Sequence, residues 1–126
     1  MIKWFEEHNK LSWAIAILIA VIIFYLSTLS FGKGFGAGYI TNWKSIVYHI
    51  VIFFALSLFF FISLLRGKGN FKLFLFSILI LISYAILDEI HQFFVSGRFC
   101  SVLDVGFDLL GILFAFMVYL ISLKSR

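Results

Sequence analysis

Not one proline occurs among the 126 residues, and there is a single cysteine, Cys100. The first absence leaves long helices free of a proline break. The second excludes an internal disulfide and a thiolate cage for zinc. Charge is scarce as well, with Asp, Glu, Lys and Arg making up 13% of the chain. No nucleic-acid-binding motif is present, so the net charge of +4 bears on membrane orientation rather than on nucleic acid. Apolar side chains fill the gap: 63% of residues are hydrophobic and 21% aromatic, with a mean hydropathy of +1.13. A soluble chain of this size leaves roughly a third of its surface wet and could not hide so much apolar area.

Apolar runs of about 20 residues belong to membrane-spanning helices, which satisfy their backbone polar groups internally. Four such runs occur: Leu11–Leu29, Ile46–Leu65, Phe71–Leu87 extending to Val95, and Val102–Leu123. The expectation is an all-α, four-helix transmembrane bundle forming a single domain over 1–126, with helices near 11–30, 45–65, 71–95 and 101–123. The first run is longer than the core of a signal peptide, and no small-residue cleavage site follows it, so it reads as a span.

Lys and Arg collect on the cytoplasmic side of short loops. Seven lie in the N-terminus, the 66–72 loop and the C-terminus: Lys3, Lys10, Arg66, Lys68, Lys72, Lys124 and Arg126. Three lie on the opposite side: Lys33, Lys44 and Arg98. A multi-pass protein of the cell membrane with both termini cytoplasmic follows. The glycine-rich stretch "FGKGFGAGYITNW" matches no phosphate-binding loop. It reads as an outer connector with interfacial Tyr39 and Trp43.

The polar residues are unevenly placed. Four of the six acidic side chains fall between 88 and 108, where "DEIHQFFVSGRFCSVLD" joins the third and fourth runs. At about 1.5 Å per residue, Asp88 and Asp108 each lie about ten Å from the ends of their helices. Antiparallel helices joined by a short loop pack together, so these carboxylates share one level in the outer leaflet. Asp88, Glu89, His91 and Gln92 cover one broad helical arc. Ser101, Asp104, Asp108 and Gly111 line one face of the next helix, where Gly111 would admit a close neighbour. Ser101 with Asp104 also has the form of a capping pair. Ser27 near the end of the first helix, and Lys44 and His49 near the start of the second, reach the same level. The other halves of the helices read as almost pure Ile, Leu, Phe and Val.

The pattern D-E-x-x-Q, then G-R, then D-V-x-x-D-x-x-G resembles the signature of the VanZ-like family of small membrane proteins. It is carried by Asp88, Glu89, Gln92, Gly97, Arg98, Asp104, Asp108 and Gly111, with "FYLST" at the end of the first helix and Lys44 before Tyr48–His49. The family pattern usually has asparagine where Asp108 stands, so this chain carries an additional carboxylate. The resemblance implies a role in tolerance of teicoplanin-type glycopeptide antibiotics.

Ionisable groups inside a membrane are expensive unless paired, which makes such a cluster a candidate site. One reading is an outward-facing pocket of Asp88, Glu89, His91, Gln92, Arg98, Asp104 and Asp108, joined by His49, Lys44 and Ser27. It would bind an amphiphile such as a lipid head group, a cell-wall precursor or a lipoglycopeptide, with Arg98 offering its planar fork to a phosphate. A second reading is a hydrolase or transferase acting on such an amphiphile, with Asp88, Glu89, His91 and Asp104 as catalytic candidates. A divalent metal would then sit among Asp88, His91, Asp104 and Asp108. A third is a transporter or channel subunit. A purely structural role, in which Arg98 and Lys44 neutralise the acids and tie the helices together, also stays open. Cys100 as a nucleophile would need a lowered thiol pKa.

Overall fold

The computed structural model describes residues 1–29, 43–98 and 100–125. Five helices follow one another: α1 (Ile2–Glu7), α2 (Asn9–Thr28), α3 (Trp43–Leu65), α4 (Phe71–Phe94) and α5 (Val102–Lys124). Four of them, α2 to α5, are long and apolar enough to cross a membrane. At about 1.5 Å per residue their 20 to 24 residues span the hydrocarbon layer of about 30 Å. The glycine-rich stretch from Phe31 to Asn42, with Lys33 and Tyr39, lies outside the described residues, as does Ser30.

Local chemistry sets the helix ends. Asn70 caps α4, its side-chain oxygen accepting from Lys72 N at 3.0 Å and Leu73 N at 3.3 Å, which satisfies two of the orphan donors of a helix start. The turn before it needs left-handed backbone at Arg66 and Gly67, with φ of 48° and 76°. Ser101 is the N-cap of α5 rather than its first helical residue, and its hydroxyl accepts from Asp104 N at 3.4 Å. Between α4 and α5 the chain reverses through Gly97, whose φ of 84° is open to glycine at little cost.

Helix α3 is central. It packs most extensively on α5, then on α2, and it also touches α4 and α1. The α3–α5 contact is close because of Gly111: a Cβ there would stand 2.5 Å from Ile50 O and 2.9 Å from Phe54 N. Small residues let membrane helices approach backbone to backbone, where packing replaces the hydrophobic drive that lipid removes. The interior toward the other end is aromatic and aliphatic, with Phe53, Phe61, Leu81, Ile112 and Tyr119 buried. Most exposed apolar side chains, such as Ile17, Leu79 and Phe114, sit on faces that suit lipid.

One element was not legible in the apolar runs. The six-residue α1 folds under the bundle and buries Glu6, whose Oε1 accepts from Tyr119 Oη at 2.9 Å. The same hydroxyl accepts from Gly67 N at 3.0 Å. The N-terminal segment, the α3–α4 turn and the last turns of α5 thus meet at one end. The apolar halves are also less uniform than their composition implied. Ser63 and Ser77 are buried there, each donating to a carbonyl four residues earlier at 2.6 Å.

Candidate functional site

The opposite end holds the acidic cluster, and three helices build it. From α3, His49 is turned inward and nearly fully buried. From α4, Asp88, Glu89 and Gln92 face the interior, whereas Ile90 between them is exposed. From α5, Asp108 is fully buried one turn before Gly111. The glycine and the acid therefore work together, since the close α3–α5 approach brings Asp108 to His49.

His49 Nδ1 donates to Asp108 Oδ1 at 2.8 Å, and Asp104 Oδ2 lies 3.9 Å from His49 Nε2. Glu89 Oε2 accepts from the backbone N–H of Ser101 at 2.8 Å, so the α4 acid ties down the residue that caps α5. Asp88 Oδ2 accepts from Gln92 Nε2 at 2.9 Å. Gln92 Oε1 in turn accepts from the Arg98 guanidinium at 2.6 Å, and Arg98 also donates to Leu29 O at 3.3 Å. The chain of contacts runs from α2 through Arg98 and Gln92 to Asp88.

Three carboxylate oxygens stand out. Asp88 Oδ1, Glu89 Oε1 and Asp108 Oδ2 are buried and have no hydrogen-bond partner among the described residues. The Ser27 hydroxyl faces Asp88, but it donates its one proton to Phe24 O at 2.9 Å. Buried carboxylates left half-satisfied in an apolar surround are costly, and a native structure holding three of them calls for a partner. One donor atom each from His49, Glu89 and Asp108 lie within 4.8 Å of one another.

The remaining sequence candidates sit farther out. His91 turns its ring toward Phe24, at 4.6 Å between centroids, and not into the group formed by His49, Glu89 and Asp108. Asp104 is on the rim, with 17% of its side chain exposed. Lys44 is exposed, with Nζ 5.9 Å from the centre of the Trp43 ring. Cys100 is exposed on the α4–α5 turn. Burial of its surroundings, and then the negative charges of Glu89 and Asp104, push its thiol above the usual range, opposite to what an activated nucleophile requires.

The VanZ/LLP1 family model matches residues 8–123, nearly the whole chain. The chain belongs to the VanZ/LLP1 family. Comparison with curated proteins and with solved structures finds no match. Within this VanZ/LLP1 chain, the residues that carry the family resemblance converge in space. Asp88, Gln92 and Arg98 form one chain of contacts, and Glu89, Asp104 and Asp108 a second through Ser101 and His49. Both lie beside the α4–α5 turn, and Gly111 supplies the close α3–α5 packing. His49 belongs at the centre of the second chain of contacts, which the lone histidine of an apolar run does not announce. Its sequence signals were its level in the membrane and its place in the Lys44…Tyr48–His49 stretch that shares the family resemblance.

Proposed function

We propose that this protein binds the anionic head group of an amphiphile at the end of the bundle that carries Arg98, His49 and the carboxylates. The observation that carries this reading is the state of Arg98. Its guanidinium donates to two neutral oxygens, Leu29 O and Gln92 Oε1, and no carboxylate lies within ion-pair distance of it among the described residues. An arginine has five N–H donors in a planar fork. Those not engaged suit a phosphate or carboxylate bidentately. A charged group at the membrane boundary with no direct ion-pair partner among the described residues is a recognition feature by default.

The surroundings fit an amphiphile better than a free solute. The turn lies between exposed apolar side chains, Phe93 and Phe94 on one side and Val102 and Leu103 on the other. A ligand would place its chain among lipid and its head against Arg98. The excess of Lys and Arg at the other end orients the site outward by the positive-inside rule, toward lipid head groups, cell-wall precursors and lipoglycopeptides. Tolerance of teicoplanin-type antibiotics is the cellular consequence that the family resemblance implies.

The test is native mass spectrometry of the delipidated protein with dodecyl phosphate, against dodecyl maltoside as the uncharged control. Retention of the phosphate, reduced roughly tenfold in Arg98→Gln as befits the loss of a charge-assisted contact, supports the reading. Equal retention of the two detergents, or of the phosphate in both proteins, contradicts it.

A further inference from the structure

We infer that His49, Glu89 and Asp108 form a binding site for one divalent transition-metal ion, of the Zn²⁺ or Mn²⁺ type. This differs from the ligand set that sequence spacing favoured, Asp88 with His91, Asp104 and Asp108. The inference does not rest on the head-group reading.

Geometry comes first. One imidazole and two carboxylates, from three different helices, bring donor atoms within 4.8 Å of one another. Atoms bound to a common ion at about 2.0–2.2 Å must lie within roughly 4.4 Å of each other, and usually nearer 3 Å. Small side-chain adjustments therefore suffice. All three side chains are buried, so the site is held by packing rather than by mobile surface groups.

The second observation is independent of that spacing. Glu89 Oε1 and Asp108 Oδ2 are buried without a partner, on residues that are 1% and 0% exposed. Each of these acids already uses its other oxygen, on Ser101 N and on His49 Nδ1 respectively. The Ser101 contact is what the outer support of a metal site provides: it fixes the Glu89 carboxylate plane and leaves Oε1 free to ligate. His49 Nδ1 and Asp108 Oδ1, 2.8 Å apart, are spaced as two ligands of one ion, which would take the place of the proton they share.

Charge decides the valence. Two ionised carboxylates and a neutral imidazole carry −2, and a divalent cation cancels this where isolated charges are expensive. Mixed nitrogen and oxygen ligands favour first-row transition ions over Ca²⁺ and Mg²⁺, which take oxygen ligands almost alone. Three protein ligands leave at least one coordination position for another group. Asp104 Oδ2, 3.9 Å from His49 Nε2, faces the other ring nitrogen, where an outer carboxylate orients a metal-bound imidazole.

The experiment uses full-length protein in detergent, stripped with a chelator and then equilibrated with ZnCl₂ or MnCl₂. Elemental analysis is expected to give one ion per chain, with a rise in melting temperature that chelator reverses. Glu89→Gln, which keeps the shape and the amide-accepting oxygen, is expected to weaken binding by roughly tenfold or more while circular dichroism shows unaltered helix content. Should a variant fail to fold, Co²⁺ in the wild-type protein reads the site without mutation, through the visible absorption of an ion bound by nitrogen and oxygen ligands. Arg98→Gln is expected to bind metal as the wild type does, so loss of head-group binding and loss of metal are separately visible. Wild-type protein that takes up no Zn²⁺, Mn²⁺ or Co²⁺ beyond Glu89→Gln, or whose melting is indifferent to all three, overturns the inference.

Discussion

His49 Nδ1 and Asp108 Oδ1 lie 2.8 Å apart across the α3–α5 interface, although 59 residues separate them in the chain. Both are buried among apolar helices, so the contact joins the packing of the bundle to the chemistry of its polar end. Breaking a buried pair by removing one member strands the other, which typically costs about 3–5 kcal/mol, whereas removing both is milder. His49→Ala and Asp108→Ala are each expected to destabilise the protein strongly, and the double variant by less than their sum. A double-mutant cycle of unfolding in detergent checks this, with a coupling of about 1–3 kcal/mol expected.

Gly111 holds that interface together. Alanine there would push its Cβ to 2.5 Å from Ile50 O, and backbone cannot yield as a side-chain tip can. Gly111→Ala is expected to cost about 1–3 kcal/mol, the usual penalty of overpacking, and to loosen the His49–Asp108 contact. Gly106, on the same helix, is the matched control, because a Cβ at that position would meet nothing within 4 Å. Gly106→Ala should melt at or slightly above the wild-type temperature, because alanine is the better helix former.

Much of this architecture was legible in the sequence. The four spans follow from apolar runs without proline, and the common level of Asp88 and Asp108 follows from helical rise and a short turn. Gly111 at i+3 from Asp108 pointed to a close helix approach. Less legible were contacts between groups distant in sequence. Helical arcs place Asp88, Glu89, His91 and Gln92 on one broad face, yet only packing decides that Glu89 turns toward His49 while His91 stacks on Phe24. Helix α1 was hidden because Glu6 looks like an ordinary surface acid until Tyr119, 113 residues away, is found beside it.

That second buried contact carries its own expectation. Tyr119→Phe removes the hydroxyl that donates to Glu6 and accepts from Gly67 N. A lost buried hydrogen bond of this type costs about 1–3 kcal/mol. The effect should concentrate in residues 2–7 and in the α3–α4 turn, which hydrogen exchange read by mass spectrometry would show as faster exchange at that end. The α4–α5 turn should exchange as in the wild type.

Cys100 reports on the polar end from outside the spans. With its thiol held above the usual range by burial of its surroundings and by Glu89 and Asp104, less thiolate is present near neutral pH than in a free cysteine. Maleimide labelling is therefore expected to be slow at neutral pH and to accelerate only as pH rises past the ordinary thiol range. Asp104→Asn removes one negative charge and should speed the reaction at a given pH. Labelling of intact cells by an impermeant maleimide at raised pH would place this turn outside, and protection until lysis would place it inside.

The most direct test of the site is the proximity of its two central groups in a bilayer. Dipolar recoupling between ¹⁵N-labelled histidine and ¹³Cγ-labelled aspartate reads it by solid-state NMR, with His49→Gln as the assignment control. Strong dephasing is expected in the wild type, from the carboxyl whose oxygen is 2.8 Å from His49 Nδ1, and its loss in the control. Absence of dephasing in the wild type would mean that α3 and α5 do not bring His49 to Asp108, and the site as described would fall with it.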